Sequence, residues 1–129
     1  MNEDEHLAPE VLRFIGLCIP TVPHLEAMLL MWETTPQLWN AAEIAARIYV
    51  TEDTADQILK DLERCGIAEL DSVRSTSFRY STASAWTGTL PLVAQAYRRH
   101  LSRVARYIHA QGSKSVREFS RAFRLRREQ

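Results

Sequence analysis

Long apolar runs are missing from this sequence of 129 residues, although 46% of it is hydrophobic. The most apolar stretch, LEAMLLMW, is far too short to cross a bilayer and carries Glu26. The opening MNEDEHLAPE is acidic and lacks the basic-then-apolar order of a secretion signal. Cysteine is scarce: Cys18 and Cys65 stand far apart, with no CxxC or HxxxH spacing near either. That spacing argues against a structural metal site and a disulfide framework, and makes a reducing cytosol the simplest home. A soluble cytoplasmic protein without a membrane partner is expected.

Catalytic signatures are missing as well. The sequence has no Gly-rich phosphate loop, no nucleophile beside a base in a recognisable motif, and no carboxylate pair with a site around it. His6, His24, His100 and His109 are scattered and lack partners at ligand spacing. No enzyme, cofactor or metal site is therefore expected. His24 reads as structural or solvated, and Cys65 as a small core or helix-end residue, with a redox-sensing thiol as the alternative.

What the sequence does have is charge sorted by position. Residues 1–96 carry six Lys/Arg against fourteen Asp/Glu, a net of −8. Residues 97–129 carry ten Lys/Arg against two Glu, a net of +8. Such asymmetry speaks of charged partners. The length fits one compact unit, divided into an acidic lead and helix over 1–23, a central segment over 24–88 and basic helices over 89–129.

Periodicity places the elements. PEVLRFIGLCI sets Val11, Phe14, Ile15 and Cys18 at helical spacing, and Pro20 and Pro23 end that helix. VPHLEAMLLMWE follows as a second helix, with a stripe of Leu25, Met28, Leu29 and Trp32. Asn40 and Glu43 form a capping box for NAAEIAARIY, in which Ile44, Ala45 and Ile48 face inward. Thr51 caps the next helix, whose buried stripe is Ala55, Ile58, Leu59 and Leu62. Gly66 sits just past its end, where a left-handed residue is needed. IAELDS and SFRYSTA read as a β-hairpin with the tip VRST. Trp32 and Trp39 are expected in the core, and Trp86 over the joint that follows the hairpin.

TLPLVAQAYRRHLSRVARYIHAQ reads as one long helix. Its Leu90, Ala94, Tyr97, Leu101, Val104 and Ile108 are spaced 4-3-4-3-4, the rhythm of a heptad seam. Such a seam packs into its own domain or joins two copies, so these six are the dimerisation candidates. Ser115 and Glu118 form a second capping box, for a final helix SVREFSRAFRLR. The expected class is thus mainly α with a small β-hairpin.

The order helix, short helix, tight turn, helix, Gly, hairpin, carried by EIAARIYVTEDTADQILKDLERCGIAEL and FRYS, resembles a winged helix-turn-helix. The match is to the DNA-binding domain of bacterial winged-helix transcriptional regulators, over about residues 24–82, with the hairpin as the wing. The resemblance implies that the helix after the turn enters the major groove. Carried over by position, the base-contacting candidates are Thr51, Thr54, Gln57 and Lys60, with Arg74, Ser75 and Arg79 on the wing. Residues 51–64 depart from that pattern: Lys60 and Arg64 face five carboxylates, a net of −3. DNA binding draws much of its free energy from cations that displace phosphate counterions. Any affinity for duplex DNA would then lean on Arg98, Arg99 and Arg103. The expectation is a dimeric winged-helix transcription regulator. The alternative is a winged-helix adaptor that binds another protein and not DNA.

Overall fold

The computed structural model describes residues 7–111. Their order is α1 (Pro9–Cys18), α2 (Val22–Glu33), α3 (Ala41–Ile48), α4 (Glu52–Arg64), β1 (Ala68–Leu70), β2 (Phe78–Tyr80) and α5 (Leu90–Arg99). A further helix, α6, runs over residues 101–111. The protein is mainly helical with one two-stranded antiparallel sheet, as its periodicity implies. The acidic lead over 1–6 and the expected final helix with its Ser115–Glu118 box lie outside the described residues.

Helix α2 is the centre. Leu25, Ala27, Met28 and Met31 are all fully buried, so the buried face is broader than the single expected stripe and leaves one narrow side, with Glu33, exposed. An apolar face this broad needs cover from several elements, and α3, α4 and β2 pack on it. Pro23 fits in its first turn, where a missing N–H leaves nothing unsatisfied. At its far end the Thr34 hydroxyl donates to the Leu30 carbonyl (2.7 Å) and that of Thr35 to the Trp32 carbonyl (2.7 Å).

The α3–α4 turn follows the expected chemistry. Asn40 Oδ1 accepts from the Glu43 amide and Glu43 Oε1 from the Asn40 amide, both at 2.9 Å. Helix α3 ends at Tyr49, whose φ of 60° lies in the left-handed region. Gly66, at φ 76°, turns the chain from α4 into β1. The hairpin pairs Ala68 with Tyr80, Glu69 with Arg79 and Leu70 with Phe78. Its strands are shorter than the alternating runs imply, because Asp71 draws the chain into a loop by accepting from the amides of Val73 and Arg74. Trp39 is core, as expected, and is also a third extended partner. Its amide donates to the Phe78 carbonyl (2.7 Å) and the Phe78 amide returns the bond (2.8 Å).

Two expectations are corrected. The long C-terminal helix is not continuous: it breaks at His100, which leaves helical geometry at φ −135° and ψ 46°. A straight helix of that length would span about 33 Å and overrun so small a body. The break lets Leu90, Val93 and Ala94 on one side, and Val104 and Ile108 on the other, reach the same core. Helix α5 packs on α1, and on α6 the Gln111 side chain lies 4.0 Å from where a Cβ on Gly16 would stand. Leu101, at the break, is turned outward and is 53% exposed.

The second correction concerns the cysteines. Cys18, at the end of α1, is disulfide-bonded to Cys65, at the end of α4, across 47 residues of sequence. Neither is a free thiol. Their wide separation in sequence hid a pairing that the packing of α1 creates. Closing a loop of this size removes denatured-state freedom worth about 2–4 kcal/mol. Replacing both cysteines by serine is therefore expected to lower unfolding free energy by about that amount in denaturant titrations under oxidising conditions. With reductant present, the two proteins should differ far less.

Candidate functional site

Helix α4 has one dry and one charged face. Ala55, Ile58, Leu59 and Leu62 are buried against α2, α3 and β1. The outer face presents Glu52, Asp53, Gln57, Lys60, Glu63 and Arg64. Thr51 begins the helix, its Oγ1 accepting from the Thr54 amide at 3.1 Å. Glu52 and Asp53 follow in the first turn, where the helix dipole favours carboxylates.

The cations on this face are already engaged. Lys60 Nζ lies 2.8 Å from Asp56 Oδ2. That hydrogen bond, and then the charge behind it, raise the lysine pKa above its ordinary value. Arg64 pairs with Asp61 Oδ1, to which Gln57 Nε2 also donates at 3.0 Å. On the hairpin, Arg79 Nη1 donates to Asp71 Oδ1 (3.0 Å), and its Nε stands 4.0 Å from Glu69. The Arg74 amide, ahead of Arg79 itself, holds the Asp71 carboxyl below the usual range. Glu52, Asp53 and Glu63 have no ion pair among the described residues.

Asp61 is the centre of a network that its sequence neighbourhood does not announce. His24, 7% exposed in the first turn of α2, meets Thr21 Oγ1 through Nδ1 (2.6 Å) and Asp61 Oδ2 through Nε2 (2.8 Å). Of the two readings for His24, the structural one holds, and its partner lies 37 residues away. A histidine in the first turn of a Thr-capped helix was the only local hint. Partial burial pushes the Asp61 carboxyl upward. Hydrogen bonds from His24 and Gln57, with attraction to His24 and Arg64, outweigh it and hold the pKa below the usual range.

The structure brings Thr51, Thr54, Gln57 and Lys60 onto one exposed surface, but with most of their donors turned inward to α4's own groups. Arg74 is exposed at the hairpin tip, next to Ser75, and Arg79 is half-buried in its ion pairs. A cleft of about 570 Å³ opens between α3, α4 and the hairpin. Leu70 and Phe78 form its apolar floor, and Glu52, Asp56 and Glu63 stand around it with Lys60. Tyr49 is 93% exposed in the turn before α4, in a backbone conformation that favours Gly or Asn. Stability alone would not choose that residue.

Arg98, Arg99 and Arg103 lie elsewhere. With Arg106, His100 and Leu101 they line a separate cavity of about 590 Å³ at the α5–α6 break, and among the described residues no carboxylate lines it. Arg103 Nη1 is 3.1 Å from His100 Nδ1. Of the heptad candidates, Leu90, Ala94, Val104 and Ile108 are buried in their own chain, Tyr97 is half-buried and Leu101 is exposed. The seam is largely an internal one. Burial, and after it the charge of Glu26, raise the pKa of the Tyr97 phenol. Among the described residues, no group of His, Cys, Asp and Glu is placed to hold a metal ion. Among the same residues, no single helix is long and apolar enough to cross a membrane.

Comparison with protein-family models, with curated proteins and with solved structures gives no match.

The Asp61 network has a pH signature. A carboxyl whose folded-state pKa is lowered contributes stability above its unfolded value, near ~4, and loses it as pH falls through the folded value. Asp61→Asn should melt at lower temperature than the parent at neutral pH. The difference should narrow as both are acidified from about pH 5 towards pH 2. A gap that stays constant across that range would mean the ionised carboxylate does not hold α2 to α4.

Proposed function

We propose that this chain is a winged-helix-type interaction module. Its cleft between α4 and the hairpin receives a basic segment of a protein, and α4 does not read DNA. The observation that carries this reading is the state of the charges. Lys60, Arg64 and Arg79 are each held by a carboxylate of the same chain, whereas Glu52, Asp53 and Glu63 face outward. A helix brought against phosphates in this state would gain no counterion release and would meet like charge. A Lys- or Arg-rich segment meets complementary charge around an apolar floor instead.

A second reading, the dimeric DNA-binding regulator, draws on a different observation. Arg98, Arg99 and Arg103 gather around a cavity that no carboxylate among the described residues lines, a surface suited to a phosphate backbone. The disulfide bears on where either version works. The cytosolic expectation rested on unpaired cysteines, and a Cys18–Cys65 bond persists more readily in an oxidising compartment.

One experiment separates the readings. A fluorescent Arg/Leu peptide and a mixed-sequence duplex are titrated with protein at about 50 and about 200 mM salt. Saturable peptide binding is expected, and Asp56→Lys should weaken it at least ~10-fold. Tight, steeply salt-dependent duplex binding that Asp56→Lys strengthens, and that Gln at 98, 99 and 103 weakens for every sequence, would establish the DNA reading in its place.

A further inference from the structure

We propose that the basic elbow at the α5–α6 break of one molecule docks into the α4–hairpin cleft of a second copy of the same chain, head to tail. This rests on the reading that the cleft takes a basic partner, and names that partner.

The two surfaces are opposites in charge and alike in their apolar content. The elbow gathers Arg98, Arg99 and Arg103 around Leu101, with no carboxylate among the described residues lining its cavity. The cleft gathers Glu52, Asp56 and Glu63 around Leu70, and its single lining cation, Lys60, is already paired with Asp56. Leu101 is 53% exposed and Leu70 is 40% exposed, so each surface sets an uncovered leucine among charges of one sign. An exposed apolar centre within a polar surround is the composition of an interface core and its rim.

Electrostatics also selects the geometry. A two-fold dimer through the elbow would set arginines against arginines, and one through the cleft would set carboxylates against carboxylates. Like charges brought face to face across an interface suppress that pairing. The elbow and the cleft share no lining residue and lie on different elements, α5–α6 for one and α3, α4 and the hairpin for the other. An elbow-to-cleft contact that is not returned across a two-fold axis is heterologous, and it repeats into a chain or closes into a ring. The formal net charge of zero for the whole sequence removes the general repulsion that would oppose such growth.

The test uses the full chain in sedimentation equilibrium at about 50 and about 500 mM salt, with loading from about 10 to about 300 µM. At low salt the mean mass should climb from the 14.8 kDa monomer past the dimer, and at high salt it should fall back. Two variants remove one surface each: Glu52→Lys with Glu63→Lys for the cleft, and Arg98→Gln, Arg99→Gln with Leu101→Ser for the elbow. All five positions are exposed. Each variant alone should stay monomeric. Mixed, they keep one intact elbow and one intact cleft and should form a dimer of about twice the monomer mass that grows no further. This step also shows that both variants are folded.

A wild-type chain that stays monomeric at low salt overturns the proposal, as does a mixture that fails to pair or a dimer that both variants retain alone. A monomeric wild type that still binds the Arg/Leu peptide removes self-docking and leaves the protein-contact reading standing. A chain that binds neither itself nor the peptide removes both.

Discussion

Helix α2 buries most of its circumference and leaves only a narrow side, with Glu26 and Glu33, to water; a helix of that kind exists only where other elements enclose it. Leu25, Met28 and Met31 are out of reach of water, so α3, α4 and the hairpin have to be folded around them. Enclosure also imposes a polar obligation, since the ends of a helix leave backbone groups without partners. Thr21 and His24 meet it at the start and Thr34 and Thr35 at the finish. His24 then carries the order outward, because its second nitrogen holds Asp61 on α4. Among the described residues, no buried side-chain nitrogen or oxygen lacks a hydrogen-bond partner.

That arrangement decides what the outer face of α4 has to offer. Asp61 takes up Gln57 and Arg64, Asp56 takes up Lys60, and Asp71 takes up Arg79. The exposed Lys60–Asp56 pair adds little to stability. The larger effect of these pairs is to leave the surface acidic, since it is the lysine and arginines that are matched while several carboxylates are left over. Among the described residues, four arginines gather at the elbow, on different elements. A chain with no net charge thus has two faces of opposite sign.

Local chemistry was legible in the sequence and long-range chemistry was not. The Asn40–Glu43 box, the Thr51 cap and the Gly66 turn are each specified within a few residues, and the structure carries all three. The hairpin was legible from its alternation, though its ends were not, because the Asp71 loop depends on backbone amides that no pattern reports. The Trp39–Phe78 bridge, the His24–Asp61 contact and the Cys18–Cys65 bond join residues from 37 to 47 positions apart. Apart from the placing of His24 in the first turn of a Thr-capped helix, nothing in the neighbourhood of either partner marks them. The break at His100 escaped notice for another reason. The apolar spacing suits a bent pair of helices as well as a straight one, and neither Gly nor Pro marks the bend. For the candidate site, the sign of the charge on α4 was plain from composition. Which cations were already held depended on geometry.

The Cys18–Cys65 bond also gives the molecule a mechanical character. It joins the end of α1 to the end of α4, so that α2, α3 and α4 lie within one covalent ring. Tension applied to the chain on either side of that ring passes through the sulfur atoms and bypasses the residues between them. Under load, α1 and the segments after Gly66 would extend first. The turn that displays Tyr49 and the acidic face of α4 would keep its shape until the bond is reduced.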